Sequence, residues 1–382
     1  MRCTTGLTFL FCALGLASLC SSCTPPAPAA EPTPDAVTET GLKDYFAGDF
    51  LVGAAVGKAQ NRGKDPRGLE LVAREFNTVT PENDLKWRNI HPARDTFNWG
   101  PADNYVAFGE AHDMWIVGHA LVWYLQLADY VKEVTEAEEM RTVLQEHIDS
   151  VAGRYRGRID AWDVLNEAVN DDGTMRSWPV YDVLGEDYVA EVFKMARAAA
   201  PDAELYYNDY NLWMPAKREG AIRMLKKALA AGAPIDGIGM QAHYALDDPT
   251  IDQVEASLVA FHEELGIQVM ITELDIDVLP RAWEKLSADP SLKYNPTPEL
   301  DPYTEGLPVS VAAAQGDRYQ DLFRLFLKHR DKIHRVTFWN THDAASWLNG
   351  NPIRGRTNYP LLFGRDYERK AGYDSVRVVK ER

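Results

Sequence analysis

Apolar positions along this chain recur with two different periods. From residue 50 onward, short runs rich in Val, Ile, Tyr and Trp alternate with longer stretches in which apolar residues return every three or four positions. The short runs are FLVGAAVG (50–57), NTVT (77–80), WIVGHALVW (115–123), IDAWDVLN (159–166), ELYYND (204–209), GIGMQAHY (237–244), QVMITEL (268–274) and RVTFWNT (335–341). Apolar strands alternating with amphipathic helices predict a parallel sheet wrapped by helices. Eight such strands close a ring, so the expected fold is α/β, a (β/α)8 TIM barrel.

Two helices are legible in detail. In 250–266, Ile251, Val254, Leu258, Phe261 and Leu265 form one stripe, and Gly266 is placed to end it. In 135–156, Met140, Val143, Leu144, Ile148, Val151 and Tyr155 form another, and Thr135 with Glu138 has the spacing of a capping box. A third helix is expected near 315–329. The connection from the seventh strand to the eighth, which includes that helix, is about sixty residues long; Pro, Tyr and Trp in its first part suggest an ordered wall over a cleft, the alternative being a mobile surface excursion.

Composition adds the limits. A chain of 382 residues, 46% apolar and 25% charged, can build the core of one large barrel. The net charge of −17 and the lack of basic runs argue against nucleic acid as a partner, since binding it needs clustered Lys and Arg. All four cysteines lie in the first 23 residues, so the body holds no disulfide and no cysteine metal site.

That leader also carries Arg2, an apolar run from Leu7 to Leu19, and small residues before Cys23, the layout of a removable export signal over 1–22. LCSSC resembles a bacterial lipoprotein box, with Cys23 as the lipidated residue. A Pro-rich tether follows over 23–40, and the catalytic barrel is expected over 41–382. The expected location is outside the cytoplasm, either secreted or anchored by lipid at the cell envelope; the membrane is a partner only through that anchor, and a monomer is expected.

Polar residues at the C-terminal ends of barrel strands are the ones that can form a site. Here those ends carry Glu82, Glu167 and Glu273. Glu is a poorer helix cap than Asp or Asn, so these three are the informative carboxylates. Two carboxyl groups facing across a pocket can cleave a glycosidic bond, one protonating the leaving oxygen while the other attacks the anomeric carbon; a gap of about 5–5.5 Å implies retention. Glu167 and Glu273, on the fourth and seventh strands, are the candidate pair. Glu273 and Asp275 share a strand face, and His243 ends the neighbouring strand, so a Glu–His–Asp network is expected. Trp87, Trp123, Trp339 and Trp347 offer flat faces on which sugar rings can rest.

These motifs together resemble glycoside hydrolase family 10, the (β/α)8 endo-1,4-β-xylanases. TPENDLKW, GHALVW, WDVLNEA, YYNDYN, GIGMQAHY, ITELDI, TFWNTHDAASWL and PLLFGRDYERKAGYD follow the family's blocks in order. The resemblance implies a retaining enzyme acting on xylan and xylo-oligosaccharides, with Glu167 as acid/base and Glu273 as nucleophile. Asn166 would bind the sugar 2-hydroxyl, while His243 and Asp275 would support Glu273. Glu82, Asn83, Lys86, His119, Trp123, Gln126, Asn208, Gln241, Trp339 and Trp347 match substrate-binding positions. No metal and no cofactor is implied. Two departures stand out: Tyr124 and Leu125 replace a His and a small polar residue, and Asn340 replaces the common Gly. The same two-carboxylate chemistry on a β-glucan, or a non-catalytic surface glycan-binding lipoprotein, are the competing expectations.

Overall fold

Nine strands are present in the computed structural model, which describes residues 40–281 and 293–381. They are β1 (Leu51–Val56), β2 (Thr78–Pro81), β3 (Trp115–Trp123), β4 (Ala161–Asn166), β5 (Glu204–Asp209), β6 (Gly237–Met240), β7 (His243–Ala245), β8 (Gln268–Asp277) and β9 (Ile333–Phe338). All pair in parallel in the order β6-β5-β4-β3-β2-β1-β9-β8, and β8 pairs back onto β6. Eight strands therefore close the expected barrel, with β7 an extra short strand on the far half of β8. The expected signal, Cys23 and the tether as far as residue 39 lie outside the described residues, as does Trp283 of the long connection.

Three strands depart from expectation at the ends where a site would form, one of them β8, which runs past the expected 274 to Asp277. The run 237–244 is broken, because Ala242 takes a left-handed backbone with φ +64°. Its partner β8 continues unbroken, so Met240 pairs with Ile271 but His243 pairs with Asp275. Three steps along one chain match four along the other, and the break absorbs the extra residue. The last strand ends at Phe338, not 341. Trp339 still donates to Leu274 O at 3.0 Å, but Asn340 (φ +109°) turns the chain out of the sheet.

The helices cover the outside. Ile251–Leu265 begins as its sequence suggests: Thr250 Oγ1 accepts from Gln253 N at 3.3 Å, Gln253 Oε1 accepts from Thr250 N at 2.9 Å, and Gly266 closes it at φ +66°. Val254, Leu258 and Phe261 are buried on it; truncating Phe261 to Ala would cost about 3–5 kcal/mol. Ala137–Arg154 buries the expected stripe, yet Thr135 does not cap it. The N-cap residue is Glu136, and Glu138 pairs with Arg141 at 2.9 Å instead of reaching back. Val309–Lys328 starts six residues before the expected 315. The described part of the long connection packs on the loop after β9, where Leu300, Ile353 and Tyr294 cluster and Arg356 Nε donates to Leu300 O at 2.9 Å.

Inside the barrel the chain is polar as well as apolar. Ala161, Tyr206 and Met270 fill one layer. Buried Arg335 faces Asp163 at 3.7 Å, and Asp163 accepts from His119 Nδ1 at 2.9 Å. This axis leads from the barrel interior to the strand ends.

Candidate active site

Glu167 is the first residue beyond β4, and it sits in left-handed backbone at φ +59°. A residue with a side chain holds that conformation at a cost of order 1–3 kcal/mol, and only where its surroundings over-determine it. Here its N–H donates to Asn208 O at 2.8 Å and its carbonyl accepts from Arg176 Nε at 2.9 Å. The residue as a whole is 8% exposed. Its Oε1 accepts from two side-chain amides, Gln241 Nε2 at 3.0 Å and Asn166 Nδ2 at 3.2 Å.

Glu273 approaches from β8, almost opposite in the ring. Its Oε2 meets His243 Nε2 at 3.1 Å, and its Oε1 accepts from Asn208 Nδ2 at 2.8 Å. His243 Nδ1 meets Asp275 Oδ1 at 3.0 Å, and Asp275 Oδ2 accepts from the Trp347 indole at 2.8 Å. Both imidazole nitrogens face carboxylates, which only accept, so the ring must carry two N–H groups. Burial opposes that charge, but Asp275 and Glu273 overcome it and push the His243 pKa up to about 10. Burial alone would raise Glu273; the hydrogen bond from His243 and the nearby positive charges outweigh it, and the carboxyl sits below its ordinary value.

The two carboxyl groups share one amide system. Asn208 also donates to Asn166 Oδ1 at 2.9 Å, and its own Oδ1 accepts from Thr272 Oγ1 at 2.6 Å. The threonine hydroxyl thereby fixes which end of the amide faces Glu273. Gly239 makes room for it, since a Cβ there would stand 2.3 Å from Asn208 Oδ1.

One wall of the cleft belongs to β2, β3 and β9. Lys86 is buried with its Nζ 4.7 Å from the Trp123 ring and 5.8 Å from that of Trp339. Burial lowers its pKa, against the pull of Glu273, Glu82 and Glu167. Glu82 is raised by burial, partly offset by Lys86, and its Oε2 accepts from Asn340 Nδ2 at 3.1 Å. The His119 ring stands edge-on to Trp339 at 5.3 Å, and Trp347 lies 4.9 Å from His243. Asn83 and Gln126 lie further out, joined through Asn89, whose Nδ2 reaches Asn83 O at 2.8 Å and Gln126 Oε1 at 3.2 Å.

Trp87 does not join them. It is 2% exposed, stacked at 3.7 Å on His147, with its indole N–H donated to Tyr130. The α-helical turn Trp87–Ile90 directs it into the core, so this one of the four tryptophans is a packing residue. Arg176, Thr272 and the Tyr207–Asp209 pair were not legible as site residues. Burial and then Lys217 act on Asp209, whose pKa rises to about 6; Tyr207 donates to it while also accepting from Ala168 N at 3.2 Å. Thr272 stood in ITELDI and Tyr207 and Asp209 in YYNDYN, but nothing in either block distinguishes them from ordinary strand and cap residues.

A closed parallel barrel with two buried carboxyl groups converging from β4 and β8 is the arrangement of a barrel glycoside hydrolase. The sequence model of glycosyl hydrolase family 10 matches residues 41–379, and the chain belongs to that family. It is 40% identical to endo-1,4-beta-xylanase A of Xylanibacter ruminicola, over 89% of this chain and 92% of that protein. It is 36% identical to a beta-1,4-xylanase of Dictyoglomus thermophilum, over 87% and 89%. Among solved structures, a GH10 endoxylanase retrieved from a sugarcane soil metagenome superposes with TM-score 0.84 at 46% identity, covering 90% of this chain and all of that one.

Proposed function

We propose that this chain is an endo-1,4-β-xylanase that hydrolyses xylan with retention, Glu273 acting as nucleophile and Glu167 as acid/base. The observation that carries the reading is the unlike tethering of the two carboxyl groups. Glu273 is held ionised by His243, as a nucleophile must be. In the first step a Glu273 oxygen bonds to the anomeric carbon, the glycosidic C–O bond breaks, and Glu167 gives its proton to the departing oxygen. In the second, Glu167 takes a proton from water, the water oxygen attacks the same carbon, and Glu273 leaves as a carboxylate. Asn166 is placed for the sugar 2-hydroxyl, while Lys86, His119, Trp339 and Trp347 supply charge, hydrogen bonds and ring faces. Lys86 Nζ makes no hydrogen bond to the described residues, which leaves it available to a sugar hydroxyl.

Product analysis on glucuronoxylan, arabinoxylan and β-glucan tests this. Release of short xylo-oligosaccharides from the xylans with little from β-glucan is expected; preferential cleavage of β-glucan would overturn the substrate. The xylanase names of the relatives favour xylan, and both carboxyl groups are present, so neither competing reading gains support. We further propose export with lipid attachment at Cys23, on the strength of the leader sequence alone. Cells fed labelled palmitate should label the full chain but not Cys23→Ser; an unlabelled full chain would remove the anchor.

A further inference from the structure

The Glu167 peptide is clamped by a residue nine positions later. Arg176 Nε donates to Glu167 O at 2.9 Å, and the Arg176 backbone N–H donates to Ala168 O at 2.8 Å. The guanidinium is itself immobilised. Its Nη2 donates to the Tyr210 hydroxyl at 2.9 Å and more weakly to Val169 O at 3.4 Å, and its carbon lies 4.2 Å from the centroid of the Tyr124 ring. Tyr124 is one of the two residues that depart from the family's common pattern after the third strand. A planar fork that stacks on a ring and donates along fixed directions fits this site as an ammonium does not.

The clamp acts on a residue whose backbone is unfavourable without it. Glu167 at φ +59° is otherwise held on its backbone by its N–H to Asn208 O and at its carboxyl by Gln241 and Asn166, and a small rotation of its peptide would swing the carboxyl away from those two amides. We propose that Arg176, stacked on Tyr124, is a positioning residue for the reaction: it aims the Glu167 carboxyl at the leaving oxygen through the Glu167 carbonyl. This rests on Glu167 being the acid/base.

The test exploits what the proton is for. A 2,4-dinitrophenolate leaves without protonation, so a misaimed acid harms cleavage of an unsubstituted xylo-oligosaccharide while sparing 2,4-dinitrophenyl β-xylobioside; a general loosening of the cleft harms both. Misplacement of this kind is expected to lower kcat/KM of Arg176→Met on the oligosaccharide by about 100-fold. On the aryl substrate the loss should stay within about threefold, since acid catalysis contributes little there. Arg176→Lys should recover little of the loss, and Tyr124→Leu should show the same selectivity with a smaller drop. If Arg176→Met does not fold, Tyr124→Leu and Arg176→Lys decide the matter by the same ratio. Equal losses on both substrates in the folded variants, or no loss on the oligosaccharide, would overturn the proposal. Glu167→Ala serves as control: if it too lacks selectivity, the assignment of Glu167 fails, whereas selectivity in Glu167→Ala alone removes only the role of Arg176.

Discussion

The β8 side of the cleft is built from charges and the β4 side from neutral amides. Glu273 is tied to an imidazolium that is itself tied to Asp275, a chain that works only while each member keeps its charge. Glu167 receives side-chain hydrogen bonds from Gln241 and Asn166, neutral amides that donate to a carboxylate and, more weakly, to the carbonyl oxygen of a carboxylic acid. A group that must stay ionised is held by a cation. The group proposed to give up and recover a proton is held by uncharged donors that can stay bonded in both states. Burial is similar for the two residues, at 8% and 5% exposed, so partners and not depth separate the roles proposed for them.

Removing each group tests that contrast most severely. Glu273→Ala should abolish turnover on natural and activated substrates alike, with a loss of about 10⁴-fold or more in kcat, because no bond to the anomeric carbon can form. Glu167→Ala should lose about 10²–10⁴-fold on xylan but far less on a 2,4-dinitrophenyl xyloside. Matching losses on the two substrates would erase the distinction. Next in size, His243→Asn should lower kcat about 10–100-fold with a smaller change in KM, as one donor to Glu273 is retained without its charge.

The same histidine gives the contrast a pH dependence. Its folded pKa of about 10 lies above the unfolded value, so its stabilisation is complete below about 6.5 and lost as pH rises through about 10. His91 and His147 form the opposite case. They lie 3.1 Å apart between Nδ1 atoms, beneath Trp87, with carbonyls of Arg94 and Leu121 on their far nitrogens. Burial lowers both, and for His147 the neighbouring His91 lowers it further. Their contribution is present above about 6.5 and lost as pH falls towards the lowered values. Thermal unfolding across pH should therefore weaken at both ends. His243→Asn should flatten the alkaline arm and His147→Gln the acid arm; the reverse pattern would contradict the assignment of either cluster.

The smallest effect is expected at Asn340. Asn340→Gly keeps a residue suited to φ +109° but removes the 3.1 Å bond to Glu82. One hydrogen bond of about 1 kcal/mol corresponds to a rise of about fivefold in KM for xylotriose, with kcat nearly unchanged. A fall in kcat instead would place Asn340 on the catalytic side of the comparison.

Much of this was legible along the chain. Strand periodicity set the eight barrel strands, because apolar strands between amphipathic helices have few other ways to bury both faces. The positions of Glu167 just beyond β4 and of Glu273 in the outer half of β8 followed from the strand pattern, and the helix ends at Thr250 and Gly266 from local capping chemistry. Local rules failed where another partner outcompeted the expected one. Glu138 took Arg141 in preference to a capping box, and Trp87 found His147 across the core in preference to the cleft. The break at Ala242 exists because β8 runs one residue longer than its neighbour, which neither segment records alone.

The sequence by itself therefore determined the barrel, its order of strands and the residue types at its mouth, all of which depend on periodicity and on neighbours a few positions apart. Only the tertiary structure decided which donors each carboxyl group meets, that Arg176 reaches back to the Glu167 carbonyl, and that His243 lies between two acids while His147 lies against another imidazole. Protonation follows from charges and dipoles within a few ångströms, and closing the ring brings together groups more than a hundred residues apart, such as Glu167 and Glu273.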